Sequence, residues 1–141
     1  MKDTVRIATI SIDTERIQRD IYAESACIAL MSTTKRPEIL TGGKRKLIEI
    51  YIRNAITEFA AKFCAFIDGN SLNLEDAGTL QQIPVIMPED TKISPQIIRR
   101  IIESIITAHV LSACYEPQPE IRKLLAERYE RHCSQLRIAL K

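Results

Sequence analysis

Apolar positions recur at helical spacing along the stretch from Ser94 to Cys114. Isoleucines and other aliphatic residues return there every three or four positions, and charged residues share the opposite flank. Ser94 followed by Pro95 marks a helix start, because the serine hydroxyl can accept a hydrogen bond from the first turn and proline fits the first helical position. So broad an apolar face needs more than one neighbour, so we predict that this is the central helix of a bundle.

Three further segments show the same periodicity and are predicted to be helices, at about residues 14–31, 44–67 and 119–139. Asp13 stands where an N-cap residue belongs. The turn-forming residues of the segment 68–71 end the second helix. Prolines 117 and 119 leave only a short break before the last helix, which predicts a helical hairpin.

Two segments lack helical spacing. Residues 1–12 contain β-branched residues that alternate imperfectly with polar ones, which predicts a short extended arm or an edge strand. Residues 68–93 mix aliphatic residues with Pro84, Pro88 and acids, which predicts a long loop carrying a short strand or hairpin. The aliphatic residues of this loop either pack on the body of the protein or wait for a partner, and the pattern leaves both alternatives open.

The predicted fold is therefore a single all-α domain over residues 1–141. It is a four-helix bundle with a short N-terminal extended arm and a long irregular loop or hairpin between the second and third helices.

Composition and charge restrict the function classes. With 45% hydrophobic and 27% charged residues the chain belongs with folded proteins rather than disordered ones. A formal net charge of +2 argues against a dedicated nucleic-acid binder, which normally carries a strong basic excess. The N-terminal sequence lacks an apolar core of signal-peptide length, and the longest uncharged stretch is too short to span a bilayer. We expect neither secretion nor membrane insertion.

Candidate chemistry is sparse. The four cysteines lie far apart in sequence, so we predict reduced thiols without metal, and we predict no cofactor. His109 and His132 form no recognisable catalytic arrangement with a cysteine or a carboxylate, so we predict that the protein is not an enzyme. The segment TGGKRK lacks phosphate-loop spacing. Its basic residues begin a helix, where they are either solvated or in contact with an anion or nucleic acid; they are Lys44, Arg45 and Lys46.

The order of elements, with the phrases SPQIIRRIIESIITAHVLSACYE and IRKLLAERYERHCSQLRIALK, resembles small head-tail connector (head-completion adaptor) proteins of tailed bacteriophages, of the type found in Bacteroidales phages and prophages. The resemblance implies a structural virion protein, made in the host cytoplasm. It would form a homo-oligomeric ring between the portal protein and the tail components, with DNA passing through the channel. The absence of tryptophan departs from many members of that family.

On this interpretation the arm and the loop are assembly elements. The predicted interface consists of their aliphatic residues, namely Ile10, Ile12, Leu72, Leu74, Leu80, Ile83, Val85, Ile86 and Met87. The alternative is a small cytosolic helical regulator or a module that binds nucleic acid or protein. The chain offers no helix-turn-helix with a basic second helix, which disfavours the DNA-binding version of that alternative.

Overall fold

The computed structural model describes residues 4–32, 35–41, 43–72 and 79–141, and this part of the chain forms four helices and one two-stranded sheet. The helices are α1 (Thr14–Ser32), α2 (Arg45–Lys62), α3 (Pro95–Cys114) and α4 (Pro119–Ala139). The strands are β1 (Val5–Asp13) and β2 (Leu80–Pro88). Short 3₁₀ turns at Glu38–Leu40 and Cys64–Phe66 frame α2.

The helix starts follow local side-chain chemistry. Asp13 Oδ1 accepts hydrogen bonds from the N–H groups of Glu15 and Arg16, at 3.0 and 3.4 Å, and so caps α1 as predicted. Ser94 Oγ accepts from the Ile97 N–H at 3.3 Å and caps α3. Both caps satisfy amide groups that a helix start would otherwise leave without partners.

The second helix ends earlier than its periodicity predicts. The apolar pattern extends to residue 67, but α2 stops at Lys62 and the chain continues through the 3₁₀ turn. Ile67 then lies extended and bridges Val85 of β2. An apolar residue spaced correctly for a helix therefore serves as a short extension of the sheet instead.

The central position of α3 is confirmed. This helix contacts α1, α2, α4 and β1, and its buried side includes Ile98, Ile102, Ile105 and Ile106. The short break at residues 115–118 connects α3 to α4, and the two helices form a hairpin. These α3 isoleucines lie at the centre of a hydrophobic core to which β1, α1, α2, β2 and α4 also contribute.

The prediction of an all-α fold is wrong, because the N-terminal arm and the loop between α2 and α3 pair with each other. β1 and β2 run antiparallel, with Val5 opposite Pro88, Thr9 opposite Pro84 and Asp13 opposite Leu80. The chain is therefore an α+β protein. Residues 1–12 alternate imperfectly, and neither segment is long enough for its pattern to show that the other is its partner.

Candidate assembly interface

The two faces of β1 differ in character. Its even-numbered residues point towards α3, and Ile10 and Ile12 are completely or almost completely buried. Its odd-numbered residues point the other way, and Val5 and Ile7 are 61% and 53% exposed. The strand therefore contributes one aliphatic row to the core and presents a second row at the surface.

The two edges of the sheet also differ. The Thr14 N–H donates to the Thr79 carbonyl at 2.8 Å, and the Glu89 N–H donates to the Thr4 carbonyl at 3.0 Å. Since ladder bonds alternate along an antiparallel pair, the even-numbered residues of β1 bond to β2 and the odd-numbered ones direct their N–H and C=O groups outward. In the described chain no backbone group pairs with the outward groups of Ile7, Thr9 and Ser11.

The far edge of β2 is blocked. The same alternation directs the backbone of Pro84 and Pro88 away from β1, and proline has no N–H to offer an incoming strand. The Pro84 carbonyl already accepts from the Asp68 N–H at 2.9 Å, beside the bridge from Ile67 to Val85. Among the described residues, the edge of β1 is therefore the place where the sheet can gain a strand.

One carboxylate of the central helix holds both the end of β1 and the start of α1. Glu103 on α3 is only 6% exposed, and its carboxylate accepts from Arg16 Nε and Nη2 at 2.9 and 3.0 Å. The same carboxylate accepts from the Asp13 N–H at 3.1 Å. Glu103 thus closes the outward edge of β1 at its last residue and leaves the edge open nearer the N-terminus.

Most of the predicted interface residues lie in the core of this chain. Their side chains pack against the helices of the same chain, and this group comprises Ile10, Ile12, Ile83, Val85 and Met87. Leu72 is half-buried against the same core, and Ile86 is half-buried on the outer face of the sheet. Leu80 is 55% exposed. Leu74 lies outside the described residues.

The sequence prediction missed the residues that remain at the surface of the sheet, Val5 and Ile7. Their signal was present, because residues 5 and 7 are odd-numbered and residues 10 and 12 are even-numbered. Imperfect alternation in a strand means that aliphatic side chains lie on both faces.

An open groove adjoins the N-terminal end of β1. Its apolar lining includes Val5, Phe66, Pro88 and Leu140, and polar residues such as Glu89 and Lys141 also line it. The groove brings together the end of the sheet, the turn after α2 and the end of α4. The apolar surface around Val5 therefore continues beyond the sheet itself.

The basic segment at the start of α2 is exposed. Lys44 occupies the N-cap position and its Nζ lies 4.0 Å from Glu38 Oε1. Arg45 lines a depression together with Glu15 and Glu49, so the surface there carries both signs of charge. Lys46 is exposed beside them. The three residues do not form a purely basic patch.

Titratable side chains meet where α2, α3 and α4 converge. His109 Nε2 lies 2.7 Å from Glu58 Oε2, and the His109 ring contacts the Tyr129 ring at 5.4 Å between centroids. Lys62 Nζ lies 3.4 Å from the Tyr129 hydroxyl and 3.3 Å from Glu130 Oε1. These polar contacts link the three helices at their surface.

The buried thiols are poor nucleophiles. Burial raises the pKa of the Cys114 thiol to about 12, and burial also raises the pKa of the Cys133 thiol. Cys27 and Cys64 are exposed, and the four cysteines are free.

Within the described ranges, no group of three or more histidine, cysteine or acidic side chains is placed to hold a metal ion. No helix in that part of the chain combines the length and the apolar character needed to cross a membrane.

Comparisons with protein-family models, with curated proteins and with solved structures found no match to this chain.

Proposed function

We propose that this protein is a structural virion component, a head-tail connector that forms a homo-oligomeric ring between the portal and the tail of a tailed bacteriophage. The proposal is based on the order of the helices and the sequence phrases given above, and one structural observation supports it. Large aliphatic side chains are exposed on two separate helices, α2 and α4, that both pack on α3.

A ring requires such an arrangement. Neighbours in a cyclic ring meet head to tail, so each subunit must offer two different complementary surfaces. Helices α2 and α4 both pack on α3 and expose aliphatic side chains of their own. These are Leu47 and Ile50 on α2, with exposures of 39% and 47%, and Leu124 and Ile138 on α4, with exposures of 65% and 76%.

The polar groups of the protein fit a structural role. The His109–Glu58 and Lys62–Glu130 pairs join helices to one another, which is compatible with a packing role. The net charge of +2 suits a wall along which DNA can slide, because strong attraction to phosphate would hold the DNA in place. Lys44, Arg45 and Lys46 are the first candidates for DNA contact in such a channel.

Mass photometry of the purified chain, alone and mixed with the portal and tail proteins encoded by neighbouring genes, tests the proposal. We expect a closed ring when the portal protein is present. Leu124→Glu should weaken ring formation by placing a charge in the contact, whereas Ser134→Glu adds the same charge at an exposed polar position of α4 and should not. A wild-type chain that binds neither the portal nor the tail proteins would contradict the proposal.

A further inference from the structure

We propose that the open edge of β1 binds the same edge of a second copy of this chain, so that two subunits form a two-fold dimer with a continuous four-stranded antiparallel sheet. This inference is independent of the proposed function, because a two-fold contact differs from the head-to-tail contact of a ring.

The structure leaves the sheet one edge for growth. Pro84, Pro88 and the Ile67 bridge block the far edge of β2, so the β1 edge of one copy cannot pair with the β2 edge of another. Two copies that join their sheets must therefore present the same edge, and a contact between identical surfaces has two-fold symmetry.

The open edge lacks the features that usually prevent such pairing. Natural edge strands carry proline, lysine, a bulge or a covering segment. The outward-facing residues Val5, Ile7, Thr9 and Ser11 contain neither proline nor charge, and three of them are β-branched. The exposed Arg6 is even-numbered and points to the other face, and a register centred on Ile7 sets it opposite Ala8 rather than opposite its own copy.

The register follows from the alternation of hydrogen bonds. Only odd-numbered residues offer outward N–H and C=O groups, so the two-fold axis must lie at an odd-numbered residue or midway between two of them. The Asp13 N–H already donates a hydrogen bond to Glu103, so the part of the edge with unpaired backbone groups lies nearer the N-terminus. A two-fold axis at Ile7 places Ile7 opposite Ile7 of the second copy and Val5 opposite Thr9 of the second copy. Both are hydrogen-bonded pairs, and this register covers the exposed side chains of Val5 and Ile7.

A strand pair of this length buries a modest surface area. Stable interfaces bury at least about 1,200 Å² in total, and a short strand pair with its adjoining aliphatic side chains buries less. We therefore expect a dimer that dissociates on dilution.

Sedimentation velocity over a concentration series tests the contact, with a matched pair of variants. Thr9→Pro removes one outward N–H and leaves the ladder to β2 intact, since the Thr9 N–H takes no part in that ladder. Thr9→Val keeps the N–H. We expect Thr9→Pro to raise the dimer dissociation constant at least tenfold, Thr9→Val to change it less than threefold, and both to keep the secondary structure of the wild type.

Cysteine crosslinking tests the register. In a background with Cys27 and Cys64 replaced by serine, Ile7→Cys should form a disulfide-linked dimer on mild oxidation, because residues on the two-fold axis face their own copies. Ser11→Cys, on the same face and strand, should not. A wild-type chain that stays monomeric up to millimolar concentration would overturn the proposal and leave the edge for a strand of another protein. A dimer dissociation constant that Thr9→Pro leaves unchanged would also overturn the proposal.

Discussion

Ile83→Ala should destabilise the monomer, because β2 belongs to the core of the chain. Ile83 is fully buried opposite Ile10. The substitution removes three carbons, worth about 0.8 kcal/mol each in transfer free energy, and leaves a cavity that adds to the loss. We expect the free energy of unfolding to fall by about 3 kcal/mol and the thermal midpoint to fall by about 10 °C.

Leu80→Ala is the matched control, since Leu80 lies on the same strand but is 55% exposed. It should change the free energy of unfolding by no more than about 0.5 kcal/mol. Urea unfolding followed by circular dichroism measures both variants at a concentration where the protein is monomeric. If Ile83→Ala unfolds like the wild type and loses only self-association, the segment does not belong to the core and the reasoning is wrong.

Glu103→Gln should lower the free energy of unfolding by about 2 kcal/mol in urea unfolding, since it weakens three hydrogen bonds accepted by a buried charge. Thiol labelling of the native protein at pH 8 should modify Cys27 and Cys64 rapidly. Cys114 and Cys133 should react only as the protein unfolds, because burial both shields these thiols and raises their pKa.

Glu127→Gln is the control for Glu103→Gln, because it removes the same charge at an exposed position of α4. It should leave the urea midpoint of unfolding unchanged. Equal stability of Glu103→Gln and the wild type would show that the ion pair contributes nothing to the fold. Four thiols that react at one rate in the native protein would contradict the burial of the α3 and α4 cysteines.

The helices were predictable because each carries its own evidence. The Ser94 cap and the isoleucine spacing identify α3 without reference to any other segment. The same local reasoning extended α2 too far, because Phe66 and Ile67 keep helical spacing while Ile67 packs against the sheet. Tertiary contact decided the structure of those residues.

The sheet was not predictable in the same way, because its strands are separated by more than sixty residues along the chain. Each strand alone was compatible with an arm or a loop. Pro84 and Pro88 are compatible with an edge strand, but only the backbone alternation shows that they protect one edge of the sheet and leave the edge of β1 open. The interface prediction accordingly included residues from both faces of one strand.

Residue-resolved amide hydrogen exchange along β1, measured by NMR at low and high protein concentration, tests the central claim most directly. At low concentration the amides of Arg6, Ala8 and Ile10 should be protected by the ladder to β2, while those of Ile7 and Thr9 exchange quickly. At high concentration Ile7 and Thr9 should become protected as well. Fast exchange of all five amides at both concentrations would show that the N-terminal segment is an unpaired arm and would contradict the account.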